Sequence, residues 1–589
     1  MSPAAAGPPG ETSKMSKMVI GIHDGHNASV AVVREGRLEL ALQEERVTRI
    51  KNQGDAPRKA LDEALAKHAA GTARIALNGR YMNYGQWQRE TILADYRRAS
   101  SFGSCLRQPL KNTFIDQAYQ RRKASSRAER LSQLGLSRER LEPVEHHLAH
   151  ASAAYYTCPW PEERVLVLTC DGSGDRLAAT VSLGERGDLK RIAQISEHDS
   201  IGRLYAMVTR HMGMAPLEHE YKVMGLAPYF SDGAKTAAAA GWFRQLFEFA
   251  PEPLTWQRRR GVPSMYAAGT LLDRLLAEQR FDLIAAGVQR FLEDWLAEWA
   301  RGCIRETGVC KVACSGGVFM NVKANLRLLE IPELEDLYIF PSCGDESNSI
   351  GAALRLAAGM GQRHRGALGP IYYGEPITDR EAAAALDAAA GGSEDRVRFR
   401  AAYVNDIERR TAEALAAGKI VARAKGAMEF GARALGNRSI LARADSPAAV
   451  RIINQMIKSR DFWMPFAPSV LAERASEYYR KPKPVASPYM MFAFPSRPEK
   501  RAAFAAAQHP YDFTTRPQEV TAAHNPDYYR LLKEYEARTG EGIVLNTSFN
   551  LHGEPMVYRA RDAVNVFLRS GLEYMALGNW WVVKAGMAA

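Results

Sequence analysis

The sequence predicts an α/β chain in which a two-lobed unit of twisted sheets and flanking helices precedes an α+β part with elements of its own. Three observations predict it. A strand–turn–strand opening occupies residues 18–42, the same opening returns near residue 165, and fresh strand and helix signals begin after about residue 370.

In the first opening, Val19-Ile20-Gly21-Ile22 is a short apolar strand and His23-Asp24-Gly25-His26-Asn27 a polar turn. An apolar run Ala28–Val33, a turn Arg34–Arg37 and a strand Leu38–Leu42 complete it. In the second, Val165–Thr169 leads into Cys170-Asp171-Gly172-Ser173-Gly174-Asp175, followed by the apolar run Ala178–Leu183. The likeness is one of pattern, not of residue identity. Residues from about 184 to 310 are expected to be mostly helical. A strand ending at Val312-Ala313-Cys314 then meets Ser315-Gly316-Gly317, with a helix to Leu329. The strand Leu337–Phe340 precedes a loop Gly344–Ser349 and an Ala-rich helix to about Ala358. Gly359–Gly369 is poor in apolar residues and is placed as a linker, so the expected domains are 18–365 and 370–589 after a disordered extension 1–17.

Composition narrows the class. With 46% hydrophobic and 24% charged residues over 589 positions the chain reads as globular, with no fibrous or membrane-spanning signature. Seven cysteines, odd in number and without a C-x-x-C pair, fit reduced thiols better than a disulfide framework or a zinc ribbon. The N-terminal segment lacks the apolar stretch of a signal peptide, and a cytoplasmic location is expected. The formal charge of +12 is uneven: residues 86–140 hold 12 Lys/Arg against 5 Asp/Glu. A solvated helical surface and a site for anions or nucleic acid are both compatible with that stretch.

The residues that carry chemistry fall into three groups. In Glu145-His146-His147-Leu148-Ala149-His150, His146 and His150 stand four apart on a predicted helix and share a face, which suits chelation of a divalent metal. Two hydrogen-bonded structural histidines are the alternative. Asp345, in the loop between a strand end and a helix, is the candidate third ligand, and Asp171 occupies the equivalent place in the other sheet. The Gly turns at 171–175 and 315–317 can present backbone N–H groups to an anion. In the last third, Arg433, Arg438, Lys458 and Arg460 lie among Gly, Asn and apolar residues, and Asn546-Thr547-Ser548-Phe549-Asn550 ends a strand. Guanidinium and ammonium groups so placed are the expected lining for a phosphate compound.

Taken in order, these stretches resemble the NodU/CmcH-type O-carbamoyltransferase family. The matching segments are Gly25–Ser29, Glu44-Glu45-Arg46, Glu145–His150, Asp171–Asp175, Glu220–Tyr229, Ser315–Asn321, Gly344-Asp345, Met428–Leu441, Pro465–Pro468 and Asn546–Pro555. The resemblance implies an N-terminal domain of the actin–hexokinase superfamily, similar to the tRNA threonylcarbamoyl-transferase subunit, followed by a YrdC-like domain. It implies that the latter converts carbamoyl phosphate and ATP into carbamoyl-adenylate, with Arg433, Arg438, Lys458, Arg460, Arg516, Ser548 and Asn550 holding the anions. In the front domain Asp171, Gly172, Glu220, Lys222, Gly316, Gly317 and Asn321 would bind the adenylate. An iron-type divalent metal on His146, His150 and Asp345 would polarise its carbonyl, and His26 would take the acceptor's hydroxyl proton. The acceptor would be a small molecule of secondary-metabolite type. A tRNA threonylcarbamoyl-type modifying enzyme is the alternative. Asn27 departs from the Asp common in relatives, and residues 81–141 match the family poorly.

Overall fold

The computed structural model describes residues 17–68, 73–80, 89–98, 127, 129, 131–132, 134–136, 140–251, 254–364, 366–391, 399–458 and 461–586. The expected N-terminal extension, save Lys17, lies outside these residues, as do most of the basic stretch 86–140 and Arg460.

Two five-stranded sheets share one topology. In the first, β1 (Met18–His23) pairs antiparallel with β2 (Ser29–Arg34) and β2 with β3 (Arg37–Gln43). On its other side β1 runs parallel to β4 (Arg74–Asn78), which runs parallel to β5 (Leu141–Val144). In the second, β6 (Val165–Gly174), β7 (Leu177–Glu185) and β8 (Asp188–Ser196) repeat the antiparallel trio. A ribbon of β9 (Phe247–Phe249) and β10 (Trp256–Arg258) intervenes in sequence. Then β11 (Lys311–Ser315) and β12 (Asp336–Ile339) lie parallel to β6 in the places of β4 and β5. The repeated opening is therefore a repeated topology. Residues 184–196, expected to be helical, instead finish β7 and form β8. Arg186 and Gly187 both take positive φ (48° and 82°), the geometry of a two-residue hairpin turn, and this turn commits the segment to a strand.

The two sheets are joined through a helix pair. The helix Asn348–Gly359 lies on β1 and against the helix His146–Thr157, which lies on β6 and β11. The approach is close enough to need glycine. A Cβ on Gly351 would fall 1.9 Å from the Ala149 carbonyl oxygen, and one on Gly21 1.9 Å from that of Ser349.

The rear of the chain carries an eight-stranded sheet, preceded by β13 (Pro376–Ile377), which pairs with β16 (Gly426–Ala427). Its strands are β14 (Phe399–Tyr403), β15 (Val421–Ala424), β17 (Arg438–Arg443), β18 (Ala467–Leu471), β21 (Gln518–Val520), β22 (Ile543–Ser548), β23 (Tyr574–Leu577) and β24 (Trp580–Lys584), in the order β14-β24-β23-β15-β17-β22-β18-β21. A short pair, β19 (Phe494–Pro495) and β20 (Thr514–Thr515), stands apart.

Front and rear are firmly docked. Met428, Ala434, Met556 and Tyr558 pack in one apolar cluster with Ile20, Ile22 and Leu42. At about 1.5–3 kcal/mol per buried large side chain, that contact alone is worth several kcal/mol. Polar bonds fix the register: Arg46 Nη2 donates to the Gly431 carbonyl at 2.7 Å, and the Gly431 N–H donates to Gln43 Oε1 at 3.1 Å. Among the described residues no helix is long and apolar enough to cross a membrane, and the six described cysteines are free thiols.

Candidate active site

The helix His146–Thr157 begins where a carboxylate caps it. The Glu145 side chain accepts from the backbone N–H of His147 (2.9 Å) and Leu148 (3.0 Å) and pairs with Arg191. The cap fixes the phase of the first turn, and the three histidines then separate by role. His147 faces β6 and β7: Nδ1 meets Thr169 Oγ1 at 2.9 Å and Nε2 meets the Leu177 carbonyl at 3.1 Å. Burial holds its pKa well below the ordinary value, and it anchors the helix.

His146 and His150 turn the other way and converge with two aspartates. His146 Nε2 lies 3.2 Å from Asp171 Oδ2 and 3.4 Å from Asp345 Oδ1. For His150 Nε2 the same distances are 3.3 Å and 3.4 Å. One ligand atom from each of the four residues lies within 4.8 Å of the others. Donors held about 2.0–2.2 Å from one ion at tetrahedral or octahedral angles stand roughly 3.0–3.5 Å apart, so the observed spacing suits a shared ion. Ser315 Oγ sits 3.2 Å from His150 Nδ1, which leaves Nε2 aimed at the cluster, as supporting hydrogen bonds do for metal-ligating histidines. Two imidazoles with two carboxylates suit a borderline transition-metal ion better than calcium.

Electrostatics agrees with geometry. Burial opposes charge on His146, yet Asp345 and Asp171 outweigh it and hold the imidazole pKa up at about 9. Burial would raise Asp171, but His146 and His150 pull it well below the carboxylate range. This is a compact, mutually neutralising set whose protons an incoming cation displaces. Asp171 stands at the end of β6 as Asp24 stands at the end of β1. It belongs to this cluster and also lines the adjoining cleft, where the resemblance has it bind the adenylate.

The cluster opens into a cleft of about 1260 Å³ that is lined by residues of both halves of the chain. His26 reaches it from the turn between β1 and β2. That turn is held from behind: His23 Nε2 bonds the His26 carbonyl at 2.8 Å, and Asp24 forms a fully buried ion pair with Arg127, Oδ2 to Nε at 2.8 Å. Burial lowers the pKa of His26 against the pull of Asp345, so its imidazole is neutral near pH 7. Gly172, Glu220, Gly317 and Asn321 line the same cleft, as expected. Burial lifts the Glu220 carboxyl to about 7.

Two predicted front residues do other work. Lys222 is ion-paired at 2.9 Å with Asp461 of the rear part and is not among the residues that line the cleft. Gly316, at φ 107°, lets the backbone pass Cys170, where a Cβ would fall 2.3 Å from the carbonyl oxygen, and its N–H is bonded to the Cys343 carbonyl.

The rear residues divide similarly. Arg433, Ser548 and Asn550 line the cleft. The loop carrying Arg433 folds around the buried Glu429 carboxylate, which accepts from Leu435, Asn437 and Arg438 N–H groups at 2.7, 3.3 and 3.1 Å. Arg438, expected to hold anions, is fully buried and donates to the carbonyls of Tyr558, Gly426 and Asn437. Its guanidinium braces the loop instead. Arg516 is half-buried and does not line the cleft. The Lys458 side chain and all of Arg460 fall outside the described atoms.

Fold and site together define an α/β enzyme with a candidate metal-bearing cleft shared between front and rear halves. The chain belongs to the carbamoyltransferase family: residues 18–354 match the carbamoyltransferase N-terminus and residues 412–584 the carbamoyltransferase C-terminus. It is 30% identical over 574 residues to the nodulation protein NolNO of Sinorhizobium fredii, covering 95% of this chain and 79% of that one. An uncharacterized protein of Methanocaldococcus jannaschii, MJ1058, is 33% identical over 75% of this chain and 73% of its own. The 3'-hydroxymethylcephem-O-carbamoyltransferase of Streptomyces clavuligerus is 27% identical over 45% of this chain and 47% of its own. A solved structure of T. kodakarensis HypF covers 59% of this chain and 48% of its own at 13% identity and a TM-score of 0.32, too remote to carry an argument.

Proposed function

We propose that this carbamoyltransferase makes carbamoyl-adenylate from carbamoyl phosphate and ATP in its rear half and transfers the carbamoyl group to a hydroxyl of a small-molecule acceptor in its front half. The observation that carries the reading is a cleft lined by His26, His146, Asp171 and Asp345 of the front half together with Arg433, Ser548 and Asn550 of the rear half. A cleft shared by both halves would let a mixed anhydride pass between them without leaving the protein, which suits a hydrolysis-prone intermediate. The likeness to the 3'-hydroxymethylcephem-O-carbamoyltransferase supports a small-molecule acceptor.

The reaction balances in three steps. Water cleaves carbamoyl phosphate to carbamate and phosphate; a carbamate oxygen attacks the α-phosphorus of ATP and expels pyrophosphate; the acceptor oxygen attacks the carbamoyl carbon and expels AMP. His146, His150, Asp171 and Asp345 would hold the divalent ion, iron by family resemblance. Such an ion supplies Lewis-acid polarisation of a carbonyl. His26, kept neutral by burial, accepts the hydroxyl proton on its imidazole as the new C–O bond forms. The Asp24–Arg127 pair positions the turn that carries it. Residues 18–365 and 370–589 are the working units of the two half-reactions.

The test separates them. Purified enzyme with ATP and carbamoyl phosphate is expected to release pyrophosphate and form carbamoyl-AMP with no acceptor present. His26→Ala is expected to keep that half-reaction and to lose transfer by about 10²–10⁴-fold. Absence of pyrophosphate from the wild type sinks the activation step, and loss of both activities in His26→Ala sinks the role given to His26.

A further inference from the structure

The front wall of the cleft holds a guanidinium that neither the family resemblance nor the mechanism above uses. Arg203, in the first turn of the helix Ile201–His211, is sandwiched between two aromatic rings: its Cζ lies 3.9 Å from the Tyr266 ring centroid and 4.6 Å from that of Tyr96. All three residues line the cleft. The rings are themselves fixed. Tyr266 Oη donates to Glu197 Oε2 at 3.0 Å and lies 2.7 Å from Ser173 Oγ, and the Tyr96 ring is buried.

Stacking satisfies the two faces of a guanidinium but none of its five N–H donors, which lie in the plane of the fork. The Arg203 side chain makes no hydrogen bond and no ion pair with any described residue, and its Nε is buried without a partner. A buried donor left unbonded costs about 1–3 kcal/mol, so the orphaned Nε leaves this half-buried side chain short of a partner. In contrast, the guanidiniums of Arg46 and Arg438 are hydrogen-bonded by the protein.

The surroundings say what that partner is. Gly202 packs on Asp171, where a Cβ would fall 2.7 Å from the carbonyl oxygen, and Ser200 Oγ donates to the Gly172 carbonyl at 2.6 Å. Arg203 thus stands beside the Gly-containing end of β6, residues 171–174, and the cluster. A planar fork held by two rings on a cleft wall is suited to a bidentate oxyanion. We propose that Arg203, pre-set by Tyr96 and Tyr266, is an oxyanion-binding residue of the front cleft that takes the phosphoryl group of the nucleotide donor. The choice of donor rests on the function proposed above; the oxyanion chemistry does not.

Equilibrium dialysis of the metal-loaded full-length protein against labelled AMP, adenosine and inorganic phosphate tests it. The wild type is expected to bind AMP more tightly than adenosine at a site that Arg203→Gln weakens by about tenfold or more, the loss of one charged hydrogen-bonding fork. Adenosine binding is expected to be equal in the two proteins, and Arg203→Lys to restore part of the AMP affinity. A merely structural arginine would lower AMP and adenosine binding alike, and that result overturns the assignment, as does unchanged binding of both AMP and phosphate. Weakened phosphate binding with unchanged AMP binding keeps the oxyanion site but overturns the donor as its source. Pyrophosphate release by the wild type tests the activation chemistry separately, so either idea can fail while the other stands.

Discussion

Gly174→Ala tests the cluster at a residue that is not a ligand. Gly174 ends β6, and a Cβ there would lie 2.1 Å from both Cδ2 and Cγ of His146. Carbon atoms in contact stand about 3.5–4.0 Å apart, so the imidazole must retreat by roughly 1.4 Å or more. It has little room to do so. Its residue is 2% exposed, its backbone N–H is bonded to Asp175 Oδ2 at 2.9 Å, and its ring faces Asp171 and Asp345. Metal–ligand distances tolerate only about 0.2 Å, so the displacement removes His146 from any shared coordination shell. The expected result is a loss of about 100-fold or more in affinity for a divalent ion, with a stability cost of about 1–3 kcal/mol from overpacking. Metal-competition titration reads the first and urea unfolding the second. A Gly174→Ala protein that binds one ion per chain with wild-type affinity would falsify the role given to His146.

Two further predictions concern the turn that carries His26. Arg127→Met leaves Asp24 charged and fully buried, and is expected to cost about 3–5 kcal/mol in urea unfolding; Asp24→Asn with Arg127→Met is expected to recover part of that. A double variant as unstable as the single one refutes the buried pair as the cause. His23 is wholly buried, with Asn78 Nδ2 donating to its Nδ1 at 2.8 Å, and burial lowers its pKa from 6.5 to about 4. Because the folded value lies below the unfolded one, the unfolded chain binds the proton first, and stability falls as pH drops from about 6.5 to about 4. The whole loss is roughly 3 kcal/mol. His23→Asn is expected to flatten the profile across that window, and an unaltered slope counts against His23 as the group responsible.

Local pattern was enough for much of this molecule. Strand–turn–strand signals at 18–42 and 165–183 announced two sheets of common design, and the His146/His150 spacing announced a shared helix face. Both follow from short-range periodicity, 2 for strands and 3.6 for helices, which the chain carries wherever it folds. The family motifs located the chemistry for the same reason, since each is a contiguous run. The strand β8 escaped because its turn, Arg186-Gly187, lacks the usual Asn-Gly pair and its strand alternates only weakly.

Partnership across the fold was not written locally. Nothing near Asp171 marks it as a partner of His146 and His150; the packing of β6 against the helix His146–Thr157 brings the three together. Arg433 and Arg438 stand only five apart, yet the first, in the loop before β17, lines the cleft, while the second, opening β17, is buried and braces backbone carbonyls. Tyr96, Arg203 and Tyr266 lie far apart in the chain and make a site only by meeting. The sequence determined the elements and the kinds of chemistry available, because those depend on neighbours a few residues away. Tertiary structure decided which polar groups are buried, paired or left facing the cleft, because solvent access and contact are set by segments hundreds of residues apart.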